Sequence, residues 1–62
     1  MTFANALEFM KLGKKVQRKS WLEYDYLFIE NDILMCDGGF PFITLLKKED
    51  INAKDWRIYD YK

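Results

Sequence analysis

The sequence has 62 residues, 50% hydrophobic and 18% aromatic, and its ten basic and ten acidic side chains cancel. A chain of this length holds one domain, residues 1–62, and buries only about 60% of its unfolded surface, so a dense core or self-association must supply stability. With Cys36 the only cysteine and no histidine, a disulfide framework and the usual tetrahedral zinc sites are excluded, and the neutral balance lacks the basic footprint of a duplex-binding protein.

Thr2 to Leu12 reads as a helix. Thr2 is suited to cap its start through the hydroxyl, and Gly13 stands where a left-handed terminus is wanted. Phe3, Ala6, Leu7 and Met10 share one stripe that can cover a sheet. Asn5, Phe9 and Leu12 form a second stripe at i, i+4, i+7, which asks for a second partner. From Lys14 the apolar period changes to two, and Lys14 to Arg18 reads as a short strand with Val16 inward. Ser20 to Asp25 reads as a loop that opens with Trp21. Tyr26–Glu30 and Ile33–Cys36 read as strands joined by a tight Asn31-Asp32 turn. Asp37-Gly38-Gly39 is the strongest turn signal in the chain. It leads to a strand over Phe40–Leu46, where Pro41 marks an edge or a strand start. Asp50 to Ala53 reads as one helical turn, and Trp56 to Tyr61 as a final strand with Trp56 and Ile58 in the core and Asp55 bracing the turn locally. The fold class that follows is α+β, one N-terminal helix packed on a small, mostly antiparallel sheet of about five strands. Both sheet faces are apolar: Tyr26 and Phe28 oppose Leu27 and Ile29, Leu34 and Cys36 oppose Ile33 and Met35, and Phe40 and Phe42 oppose Ile43 and Leu45. One short helix covers only one face. A homo-oligomer is the expected remedy, and a sheet that curls on itself the alternative.

No residue set in the sequence makes an acid/base or nucleophilic site, so the chain is expected to bind rather than catalyse, without a cofactor or metal. Cys36 stands in an apolar strand with no histidine to activate it and reads as a small hydrophobe. Glu49, Asp50 and Asp55 lie around a polar turn, where solvated or capping roles are expected. Lys11, Lys14, Lys15, Arg18 and Lys19 put half of the basic residues in nine positions with no acid between them. That run reads either as a solvated edge or as a local anion site. Trp21, three residues beyond Arg18, reads either as a core anchor or as a platform for a nucleobase. No apolar run approaches the ~20 residues of a membrane span. The N-terminus lacks a signal peptide's pattern, and a lone thiol suits a reducing compartment; a cytosolic protein is expected.

Two sets of residues carry a family resemblance. Thr2-Phe3, Ala6-Leu7, Leu12-Gly13-Lys14-Lys15-Val16 and Arg18-Lys19-Ser20-Trp21 follow the order T-F-x-x-A-L-x-x-L-K-x-G-K-K-V-x-R-x-x-W, and Asp50, Ala53-Lys54-Asp55-Trp56 and Ile58 follow D-x-x-A-x-D-W-x-[IV]. The chain resembles the phage Thoeris anti-defence sponge domains at both ends, while Tyr26–Leu46 fits only as a pattern of strands. It is shorter than members that carry an insertion before the final D-W segment. The resemblance implies a homo-oligomer, dimer or tetramer, in the host cytoplasm, that sequesters a cyclic nucleotide immune signal of cyclic ADP-ribose or cyclic dinucleotide type without cleaving it. Two other readings stand beside it: an inhibitor that contacts a host defence complex or enzyme directly, and a single-stranded nucleic-acid binder using Tyr26, Phe28, Tyr59 and Tyr61, which neutral charge makes the least favoured. For the cyclic nucleotide, the expected site lies between subunits near the end of the helix. Arg18 would grip a phosphate, Trp21 would stack on a base, Lys19 would add charge, and Asn5 and Phe9 would complete the wall.

Overall fold

The computed structural model describes residues 1–21, 25–42 and 46–60. Its first helix, α1, spans Phe3–Lys11. The Thr2 hydroxyl accepts from the Asn5 N–H at 3.3 Å, satisfying one orphan donor of the first turn. At the other end Gly13 takes φ +90°. Its N–H donates to the Met10 carbonyl and that of Lys14 to the Phe9 carbonyl, at 3.0 and 3.1 Å. This is the paired closure that a left-handed residue permits.

Strands β1 (Val16–Arg18), β2 (Leu27–Glu30), β3 (Ile33–Cys36) and β4 (Phe40–Pro41) run as an antiparallel meander; helix α2 (Lys48–Asn52) follows, and β5 (Trp56–Ile58) returns to pair with β1. The sheet order is β4-β3-β2-β1-β5. The β2–β3 hairpin turns on Asn31 and Asp32 at φ 52° and 63°, the double positive φ of a turn whose twist matches the strands. The α+β class and the antiparallel sheet agree with the sequence reading.

Several element bounds differ from those expected: β1 starts at Val16 rather than Lys14 and β2 at Leu27 rather than Tyr26. The expected Phe40–Leu46 strand is paired at Phe40 and Pro41, and the Phe42 N–H extends it by donating to the Leu34 carbonyl at 2.9 Å; Ile43 and Leu45 lie outside the described residues. The short helix begins before Asp50 because the Asp50 carboxylate reaches back to the Lys47 N–H at 3.2 Å and fixes the first turn. The last strand ends at Ile58, although the Tyr59 N–H still donates to the Lys15 carbonyl at 2.8 Å; Tyr61 lies outside the described residues.

Directly paired residues of an antiparallel sheet share a face. The register therefore puts Val16, Leu27, Ile29, Leu34, Cys36 and Trp56 on the side that α1 covers. Ala6 and Met10 of α1 meet Val16, Leu27 and Trp56 there as the buried core. Ile58 was expected in that core. It lies on the same face but is 38% exposed, because β5 is the outer strand and has no neighbour beyond it.

The other face has no helix over it among the described residues. Tyr26 packs on Tyr59 and Phe28 with ring centroids at 4.7 and 6.0 Å, and the Lys15 ammonium sits 4.7 Å from the Tyr26 centroid. Gln17 is buried beside them, donating to the Asp25 carbonyl at 2.8 Å and accepting from Arg57 Nε at 2.9 Å. Long side chains thus cover part of this face themselves.

Candidate functional site

Arg18 ends β1 on the core side of the sheet. Its Nε donates to Asp55 Oδ1 at 2.9 Å and its Nη1 to Asp50 Oδ1 at 3.0 Å. Asp55 also accepts the Lys19 N–H through its carbonyl at 3.0 Å. Asp50, in α2, is 7% exposed. Its second oxygen holds the Lys47 N–H, and its carbonyl accepts the Trp56 indole N–H at 2.9 Å. The two charge-assisted bonds raise the Arg18 pKa, and the bond from Arg18 holds the Asp55 carboxyl below the ordinary carboxylate range. Asp55 was expected to act locally. It instead joins β1 to the segment before β5, because strand pairing brings Arg18 opposite Trp56.

The chain turns after β1, and the Trp21 N–H donates to the Arg18 carbonyl at 3.0 Å. That turn lays Trp21 edge-on to Trp56, at 5.2 Å and 76°, and tilted against Phe42 at 5.9 Å and 57°. Trp56 also meets Phe3 at 5.2 Å.

Beside this cluster lies an open cleft of about 430 Å³. Leu27 and Cys36, partners across β2 and β3, contribute to its apolar lining. Trp21 and Phe42 form its aromatic wall, and Arg18, Lys47, Glu49 and Asp50 line it from β1 and α2. Asp25, Tyr26 and Asp37 line it from the start of β2 and the β3–β4 turn. The Asp37 N–H donates to the Tyr26 carbonyl at 3.0 Å, and Asp37 Oδ1 accepts from the Tyr26 N–H at 3.4 Å, which pins that turn beside β2. The described lining has two cations against four carboxylates, an excess of two negative charges.

The family model of the Thoeris anti-defense 2-like domain matches residues 1–59. The chain belongs to that family. Its setting is therefore phage anti-defence. No curated protein and no solved structure matches the chain.

The residues on which the resemblance rests are those that lock this corner of the fold. Arg18 and Trp21 come from the first motif and Asp50, Asp55 and Trp56 from the second, and they meet through the ion pairs, the indole bond and the ring contact. Of the five residues expected to bind ligand, the structure brings Arg18 and Trp21 to the cleft. Lys19 is exposed beyond β1, and Asn5 and Phe9 are exposed on α1; none of these three lines it. Trp21 packs on Trp56, as the core-anchor reading expects, and also lines the cleft.

The basic run does not form one patch. A strand's period of two sends Lys15 and Gln17 to one face and Val16 and Arg18 to the other, while Lys11 pairs with Glu8 at 3.2 Å. Asp25, Asp37, Phe42, Lys47 and Glu49 were not singled out as site residues. The Gly38-Gly39 turn is the one local signal that bends Asp37 back toward Tyr26. Nothing in the sequence marks the convergence of the others.

Proposed function

We propose that the chain sequesters a cyclic nucleotide immune signal, of cyclic ADP-ribose or cyclic dinucleotide type, and holds it without cleaving it. The observation that carries this reading is the family match over residues 1–59, on a fold whose two motif-bearing ends build one wall of a cleft. The cleft volume of about 430 Å³ falls within the range of small-molecule sites, ~300–1,000 Å³. Trp21 and Phe42 offer it the aromatic surface on which nucleobases stack. In this reading the chain is not an enzyme and works in the host cytoplasm.

Self-association belongs to the same proposal. Leu12 is 75% and Phe9 37% exposed on one stripe of α1, and Ile33 and Phe40 are exposed on the sheet. A second copy of the chain would cover such a stripe. Native mass spectrometry with a panel of cyclic nucleotides tests assembly and ligand together. The expected result is a mass increment equal to one of the nucleotides on an oligomer, with unmodified nucleotide recovered after heat denaturation. Release of a cleaved product overturns sequestration. Failure to bind any member of the panel turns the reading toward direct contact with a host protein.

A further inference from the structure

We infer that the cleft takes its ligand by the nucleoside end, with the base against Trp21 and Phe42, the ribose hydroxyls and base amine donating to carboxylates, and the phosphates left outside. This rests on the sequestration reading and goes beyond it by stating which part of the ligand is held.

Three observations lead there. The two donors of Arg18 that meet Asp55 and Asp50 are already committed, and the group of one guanidinium with two carboxylates carries a net negative charge. A phosphate at Arg18 would have to displace or crowd those carboxylates. Next, Asp25 and Glu49 line the cleft with no hydrogen bond or ion pair to their side chains among the described residues. An ionised carboxylate is an acceptor only, so these groups recognise hydrogen-bond donors and repel phosphate. Finally, Trp21 and Phe42 give the same cleft an aromatic wall, and a base is the part of a nucleotide that carries both a stacking surface and a donor. Acceptor-lined and aromatic-walled, the cleft complements a nucleoside.

The sign of a charge removal separates this arrangement from a phosphate grip. Asp25→Asn and Glu49→Gln keep size and shape, and neither change removes a side-chain hydrogen bond or ion pair among the described residues. Calorimetry on the wild-type chain and both variants, with cyclic ADP-ribose, a cyclic dinucleotide and adenosine as probes, reads the result. Each variant is expected to bind every accepted probe about tenfold more weakly, the scale of one hydrogen bond to a charged group. Wild-type affinity should change little between low and high salt. Bound probe should also slow alkylation of Cys36, the sole thiol, which lines the same cleft. Tighter binding by the amide variants, or a steep loss of affinity with salt, would mean the cleft grips phosphate; that overturns the inference and leaves sequestration standing. Unchanged affinity in both variants, or full Cys36 reactivity in the complex, places the ligand elsewhere and also overturns it. Absence of binding by every probe removes the sequestration reading and this inference together.

Discussion

Arg18 and Asp50, thirty-two positions apart in the chain, meet at 3.0 Å. The Asp50 side chain is 9% exposed. Replacing Arg18 with Ala leaves that carboxylate without its cation, a change that costs about 3–5 kcal/mol for buried pairs. Total stability for a chain of this length is about 3–9 kcal/mol. Arg18→Ala should therefore unfold much of the population at 25 °C, seen as a lost cooperative transition in urea. The guanidinium has a structural duty that a ligand-binding assay on this variant alone would misread. A variant that melts with the parent would show that the pair does not support the fold.

Trp56 is 1% exposed and spends its indole N–H on the Asp50 carbonyl. Trp56→Phe keeps an aromatic ring but leaves that carbonyl only the long 3.4 Å bond from the Ala53 N–H, a loss of one hydrogen bond that costs about 0.5–1.5 kcal/mol. Trp56→Ala adds a cavity and should cost about 3–5 kcal/mol. The order wild type, Phe, Ala in urea midpoint checks both parts. Equal midpoints for the Phe variant and wild type would assign the residue's whole contribution to packing.

Acid should weaken the fold through Asp55. Its folded pKa is depressed, first of all by the hydrogen bond from Arg18. A depressed carboxylate contributes stability that is complete above its unfolded value, near ~3.9, and is lost as pH falls through the lower folded value. The urea midpoint should accordingly fall as pH drops below about 4, and Asp55→Asn should flatten that fall while lowering the midpoint at neutral pH. An identical acid profile in the variant would remove Asp55 as the cause.

Gly13 sits at φ +90° with nothing within 4 Å of an added Cβ. The penalty for Gly13→Ala is then conformational rather than steric. About 1–2 kcal/mol is expected from the left-handed backbone, read as a drop in melting temperature with unchanged spectra. No drop would mean that the helix end relaxes to another closure.

Phe9→Asp tests self-association. Phe9 is 37% exposed in the single chain, so the change should leave the monomer folded. An unpaired charge buried in an interface costs several kcal/mol or more, and light scattering should show the assembly split. A wild-type chain that is already monomeric at micromolar concentration overturns the oligomer.

Local chemistry made the helix, the strands and the turns legible in the sequence. Thr2 and Gly13 bracket α1 because capping depends on neighbours in the chain, and Asn31-Asp32 and Gly38-Gly39 mark turns because left-handed backbone favours few residue types. The period of the apolar residues gave the inward direction of Val16 and the core stripe of α1. The motif order gave the family. None of these signals reaches across thirty residues. Only the tertiary structure placed β5 beside β1, and that pairing brought Arg18 between Asp50 and Asp55. The basic run thereby lost its apparent unity, since alternate side chains of a strand leave by opposite faces and one of them was neutralised by distant acids. The cleft was decided in the same way: its acids come from three separate parts of the chain, and their charge becomes a property of one place only when the sheet order brings them together.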